Sequence, residues 1–196
     1  MKIHPHLMPV GPSGIPRADA EIKRTIETLR AAQFEQDPLF DASDSFRISL
    51  CMSAVKREGA ILEAAIKDAV EQTSHLRLFH GRAGHRRLDV QFELIENGWL
   101  VGLEIKRGSL HDSGAIRQFH ADLERIPALL RAGLPLFPAE NVLFHIVFIS
   151  GDPPIKKGLV LDDLGRLYGL HARSHVLTAR QRYSTAIKSV MKERGL

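Results

Sequence analysis

The stretch LDVQFELIENGWLVGLEIK, residues 88–106, decides the fold. It holds two runs rich in apolar residues on either side of an Asn-Gly pair at 97–98. An Asn-Gly pair between such runs is a strong hairpin signal, because both residues accept the positive φ values of a tight turn. Side chains alternate between the two faces of a strand, so Glu104 and Lys106 are expected side by side on one face of the returning strand.

Folding this hairpin about its Asn-Gly pair brings a second carboxylate to the same place. An antiparallel pairing about that turn sets Asp89 opposite roughly Lys106, so two carboxylates and one lysine are expected at the hairpin's open end. Carboxylate oxygens suit Mg²⁺, which usually takes one or two carboxylates together with water and substrate phosphate. A lysine beside them can orient a metal-bound water or stabilise charge on phosphate, as phosphodiester hydrolysis needs. The plain alternative is a structural ion pair between Glu104 and Lys106.

The segments around the hairpin predict an α/β architecture. Apolar residues recur at helical spacing at about 18–36, at 44–55 leading into KREGAILEAAIKDAVEQT, from Asp112 or Ser113 to about Arg131, and at about 177–194. Strands are expected at about 76–80, 86–95, 99–106 and 141–150, the last as a central strand covered on both faces. We divide the chain into an irregular arm rich in proline and glycine, 1–17, and a single domain, 18–196.

The hairpin motifs, LDV followed by EIK with fourteen residues between Asp89 and Glu104, resemble the PD-(D/E)xK nuclease superfamily, to which many restriction endonucleases and resolvases belong. The resemblance covers about residues 55–150, and Leu88 stands where the family name has proline. It implies a restriction-endonuclease-like fold, with a mixed central sheet flanked by helices. It also implies that Asp89 and Glu104 are metal ligands and that Lys106 is the catalytic lysine.

This resemblance implies a Mg²⁺-dependent deoxyribonuclease, in particular a type II restriction endonuclease that hydrolyses phosphodiester bonds of double-stranded DNA. Cutting both strands with one site per chain favours a symmetric homodimer. Two alternatives stay open. One is a structure-specific nuclease such as a junction resolvase, and the other is a nucleic-acid-binding module whose nuclease-like core is catalytically inactive.

Many members of the superfamily also use an acidic residue on the helix that precedes the hairpin. Glu58 lies three, four and seven residues before Ile61, Leu62 and Ala65, so helical geometry projects it into an apolar stripe. A carboxylate on a buried face is costly unless it is paired or bound to metal, which makes Glu58 the first choice for a further catalytic acid. Glu63 is the reserve. The open alternative places Glu58 before the helix, in solvent near its positive end.

Basic residues cluster in two places, although the formal net charge of the whole chain is only +4. HGRAGHRR, at 80–87, has no acid, and residues 171–196 hold six basic residues against one acidic residue. Such clustering is typical of a surface that binds a polyanion, and a solvated basic helix is the alternative at the second place. The residues predicted to contact DNA are Arg82, Arg86, Arg87, Arg180 and Arg182.

The remaining composition excludes several classes of protein. The 196 residues are 44% hydrophobic and 26% charged, which is ordinary globular composition. No apolar run reaches the length of about 18 residues that a transmembrane helix needs, so no membrane partner is expected. The single cysteine, Cys51, allows no internal disulfide and suits a reducing compartment, so a cytoplasmic location is expected. No glycine-rich phosphate loop or nucleophilic serine elbow supports an ATPase or an esterase.

Overall fold

The computed structural model of the protein has an α/β architecture built around one sheet. It describes residues 14–35, 37–80, 88–108, 117–118, 120–122, 124–126, 128, 139–150 and 158–195. The described residues form five strands in one open mixed sheet, in the order β1-β2-β3-β4-β5. The strands are β1 Leu76–Leu78, β2 Val90–Leu94, β3 Trp99–Lys106, β4 Val142–Phe148 and β5 Leu159–Val160. The first three strands pair antiparallel, whereas β4 pairs parallel with both β3 and β5. A mixed sheet and an α/β class are therefore confirmed.

Helices cover both faces of this sheet. The described helices are α1 Pro16–Ala31, α2 Ala42–Glu71, α3 Leu161–Tyr168 and α4 Ala172–Glu193, with a 3-10 turn at Ala139–Asn141 and further helical residues within 117–128. No helix in this described part is long and apolar enough to cross a membrane. On one face, α1, α2 and α4 pack together over β2 and β3 in the larger core. The other face buries Leu100, Phe144 and Ile146 against Ile126, so the expectation that β4 is covered on both faces is confirmed.

Two predicted helix boundaries were wrong. The first helix ends at Ala31 rather than near residue 36, because the chain turns extended at Ala32 and Phe34 packs edge-on against Phe46 at 5.2 Å. The second helix runs unbroken from Ala42 to Glu71, so the stretch at 44–55 and the segment that follows it form one helix. The last helix begins at Ala172 rather than at 177, since its first turns are buried against the core. Among the helical residues within 117–128, His120 is exposed, whereas Asp122 and Ile126 are buried.

The first helix is anchored at both of its ends. Ile15, at its N-cap, offers no side-chain hydrogen bond, and the buried Asp68 of α2 accepts from the backbone N–H groups of Arg17 at 3.1 Å and Ala18 at 3.0 Å. The carboxylate therefore replaces the missing cap, since the first N–H groups of a helix have no partner within the helix. Towards its other end, Arg30 donates to both carboxylate oxygens of Glu193 on α4, at 2.9 and 2.7 Å. Long-range contacts thus fasten α1 to α2 and α4.

The turn of the β2–β3 hairpin is longer than predicted, and this shifts the register by two residues. Four residues, 95–98, connect the paired Leu94 and Trp99, and Gly98 supplies the positive φ of 67°. Val90 is paired with Leu103, so extending the register sets Asp89 opposite Glu104 rather than Lys106. The predicted hairpin is confirmed, and its predicted register was wrong.

Candidate active site

Asp89, Glu104 and Lys106 come together at the open end of the hairpin. Asp89 Oδ2 accepts a hydrogen bond of 2.7 Å from the backbone N–H of Ile105, the residue between the other two. Lys106 Nζ donates to Glu104 Oε1 at 3.1 Å. Strand alternation places Glu104 and Lys106 on the face of Leu100, away from the core under α2. The structure therefore groups all three residues that the sequence singled out.

Burial and charge at this cluster act against the ionised form of Asp89. Burial raises the pKa of the Asp89 carboxyl, the hydrogen bond from Ile105 opposes that rise, and the negative charge of Glu104 adds to it. The cations Lys106 and Lys67 lower the same pKa. The Glu104 side chain is only 13% exposed, against 31% for Lys106. Two close carboxylates of this kind favour a neighbouring cation, because a positive charge stabilises both in their ionised form.

A cleft opens beside Lys106, between the end of β3 and α2. It has a volume of about 340 Å³ and is lined by Gly59 and Glu63 of α2 and by Ile105, Lys106, Arg107 and Gly108. Gly59 lies one turn before Glu63, and there is open space where a Cβ would be attached to it. The cleft is therefore unobstructed at Gly59.

A second cleft, of about 600 Å³, lies beside Asp89 and shares Glu63 with the first. Its walls come from α1, α2 and the residues before β2: Arg17, Ala20, Glu21, Arg24, Ala60, Glu63, Ala64, Lys67, Leu88 and Asp89. Lys67 is 3.6 Å from Glu63, one turn away on α2. Glu63 is therefore the α2 carboxylate that lines both clefts.

Glu58, the first choice for a helix carboxylate, lies in a different environment. It is well inside α2, so the alternative that it precedes the helix was wrong. Its Oε1 accepts a hydrogen bond from Arg180 Nε of α4 at 3.0 Å, and its Oε2 is 3.9 Å from Arg107. Glu58 belongs to the wall of neither cleft. The Glu58 side chain lies on the packed side of α2, where its cationic partner is Arg180 of α4. Its catalytic role stays a prediction.

The predicted DNA-contacting arginines divide into two groups. Arg180 is paired with Glu58, and Arg182 is paired with Asp19 of α1, so both help to attach α4 to the other helices. The other three, Arg82, Arg86 and Arg87, lie outside the described residues. Binding of DNA by this set stays a prediction, and Arg180 and Arg182 would have to exchange an acidic partner for phosphate.

The donor set fits a hard divalent cation held by few protein ligands. Within the described part of the chain, no group of three or more histidine, cysteine or acidic side chains is placed to hold a metal. Asp89 and Glu104 supply two carboxylates, which matches Mg²⁺, since this cation usually keeps several waters and takes one or two carboxylates. Comparison of the chain with protein-family models, with curated proteins and with solved structures finds no match in any of the three.

Sequence reasoning did not select two cations beside this cluster. Arg107 directly follows the Glu-Ile-Lys motif and lines the cleft of Lys106. Lys67 follows Glu63 by four residues, which places both on one face of α2. The four-residue spacing was visible in the sequence, but only the packing of α2 against the sheet shows which face meets the site.

Proposed function

We propose that the protein is a Mg²⁺-dependent endonuclease that hydrolyses phosphodiester bonds of double-stranded DNA. The observation that carries this proposal is the grouping of Asp89, Glu104 and Lys106 around the end of β3, with one cleft lined by Lys106 and a second lined by Asp89. A surface ion pair needs no second carboxylate and no cleft. Two carboxylates with a lysine beside open space are the parts of a phosphodiesterase site.

In this proposal, Asp89 and Glu104 would hold Mg²⁺ through their carboxylate oxygens. When bound, the cation supplies a water nucleophile and compensates charge on the phosphate. Lys106 orients that water or donates hydrogen bonds to the phosphate oxygens, because its ammonium group has three donors and Glu104 takes one. Asp89 is held in place by the amide of Ile105, which fixes its carboxylate relative to the motif strand. Glu63 is then the α2 carboxylate best placed to assist.

The order of elements supports a restriction-endonuclease-like fold for this core. A long helix, α2, precedes the three antiparallel strands, and helical residues within 117–128 lie between β3 and the parallel β4. This order agrees with the one expected from the sequence motif. We propose a symmetric homodimer for cutting both strands, since each chain carries one such cluster.

A plasmid cleavage assay tests the proposed function. Purified protein is incubated with supercoiled plasmid in Mg²⁺ or in EDTA, and the cut ends are mapped. Cleavage that requires Mg²⁺ and is lost in Asp89→Asn supports the proposal, because the variant keeps the size and removes a charged ligand. Cuts at fixed sequence positions indicate a restriction enzyme, whereas cutting of only a four-way junction substrate indicates a resolvase. Cleavage that survives EDTA, or no cleavage of either substrate, contradicts the proposal of an active Mg²⁺ nuclease.

A further inference from the structure

The two clefts carry basic side chains beside different members of the carboxylate–lysine cluster. Arg107 lies in the cleft beside Lys106, whereas Lys67 and Arg24 lie in the cleft beside Asp89. Glu63 lines both clefts, so they are neighbours along one surface. A chain of phosphates that passed over the cluster would therefore meet a cation before and after the reacting bond.

Two of these cations, Arg24 and Arg107, are accessible enough to exchange their present contacts, whereas Lys67 is 21% exposed and pairs with Glu63. The Arg24 side chain is 73% exposed and its pairing with Glu21, at 2.6 Å, is a surface contact within one turn of α1. Arg107 is 38% exposed, donates a hydrogen bond to the backbone carbonyl of Val55 and lies 3.9 Å from the nearest oxygen of Glu58. Exposed pairs of this kind contribute only about 0–1 kcal/mol, so a phosphate can replace the acidic partner at little cost.

We propose that the two clefts form one track for a single DNA strand. Arg107 contacts a phosphate on one side of the scissile phosphodiester, and Lys67 and Arg24 contact phosphates on the other side. This inference rests on the proposed function, because it takes the cluster of Asp89 and Lys106 as the centre of the track. It assigns strand binding to α1, α2 and the end of β3 rather than to the C-terminal helix α4, where Arg180 and Arg182 are occupied by acids. Phosphate contacts of this kind position the strand without reading its bases.

The test is a salt titration of binding to a fluorescein-labelled duplex, followed by anisotropy in EDTA so that no strand is cut. Arg24→Ala, Lys67→Ala and Arg107→Ala should each lower the slope of log K against log salt by about 0.9, the value for one phosphate contact. A second duplex of random sequence should show the same change. Lys67→Arg should keep the wild-type slope that Lys67→Ala loses, since arginine also binds phosphate. Within the described part of the chain, the hydrogen bond of the Arg24 side chain is to Glu21 on the same helix, so Arg24→Ala should leave the fold intact.

Arg166→Ala is the matched control. Arg166 on α3 is also 73% exposed and also pairs with an acid three residues away, Asp163, which is 22% exposed against 20% for Glu21. It lines neither cleft. Slopes that stay at the wild-type value, or that fall equally in Arg166→Ala, overturn the track.

The same titration distinguishes failure of the track from failure of the proposed function. If wild-type protein cuts DNA in Mg²⁺ while the three variants keep the wild-type slope, the track is wrong and the nuclease remains. If wild-type protein binds with the expected slopes but never cuts DNA, the track stands and the catalytic proposal fails. Absence of any binding to DNA overturns both.

Discussion

Replacing Lys106 by methionine separates a catalytic lysine from a merely structural one. Methionine keeps an unbranched stem of similar length and removes the ammonium group that Glu104 accepts from. The ion pair of Lys106 and Glu104 is intermediate between an exposed pair and a buried pair, because the Lys106 side chain is 31% exposed and that of Glu104 is 13% exposed. An exposed pair contributes about 0–1 kcal/mol, and breaking a buried pair costs about 3–5 kcal/mol. We therefore expect the metal-free variant to lose about 1–3 kcal/mol of unfolding free energy.

The effect on cleavage should be larger than this loss of stability can explain. Removing one donor that stabilises developing charge lowers kcat by about 10²–10³, equivalent to about 2.7–4 kcal/mol of activation free energy. The assay compares single-turnover cleavage in Mg²⁺ with thermal melting, so that the rate is referred to folded protein. Arg77→Met is the matched control, because Arg77 makes a cross-strand pair with Glu93 at 2.6 Å elsewhere in the same sheet. A Lys106→Met rate within about tenfold of wild type, 1.4 kcal/mol, would refute the catalytic role.

Three further predictions concern the groups around this lysine. Asp89→Asn should raise the melting temperature of the metal-free protein near neutral pH, because burial and Glu104 raise the pKa of Asp89 and folding disfavours its ionised form. That advantage should shrink on acidification towards about pH 4, the ordinary range of an aspartate pKa, where the wild-type carboxyl is protonated; a constant difference across this range would contradict the argument. Glu63→Gln should lower the cleavage rate more than Glu58→Gln, since Glu63 lines both clefts, and single-turnover rates compare the two; a larger loss in Glu58→Gln would restore the original choice. Asp68→Ala should cost about 1–3 kcal/mol in denaturant unfolding, because two N–H groups of α1 lose a charged acceptor; an unchanged midpoint would show that water replaces the carboxylate.

Local periodicity was sufficient to predict much of the fold and the central residues of the candidate site. The stripe that includes Ile61, Leu62 and Ala65 is fully buried, as its helical spacing predicted. Strand alternation alone placed Glu104 and Lys106 on one face, and they are hydrogen-bonded there. These features depend on neighbours close in the chain, so the sequence pattern contains the information that determines them.

The features that escaped prediction depend on contacts between distant segments. At the hairpin turn, the N–H of Ile95 donates to the carbonyl of His75 next to β1, at 3.0 Å, and the β2–β3 ladder ends one residue earlier, at the pair Leu94 and Trp99. The choice between Glu58 and Glu63 depends on where α4 delivers Arg180, a residue 122 positions from Glu58. Neither partner is indicated by spacing within the local motif.

The attachment of α1 to α4 has a consequence for the order in which the chain acquires its structure during synthesis. Arg30 and Glu193, and likewise Asp19 and Arg182, are 163 residues apart. At a translation rate of about 5–20 residues per second, α1 waits roughly 8–33 s before its partner on α4 has been made. Once α2 has been synthesised, it is the partner of α1 that is present while α4 is still missing, so the Asp68 carboxylate is the contact that can hold the start of α1 on the nascent chain before the last helix arrives.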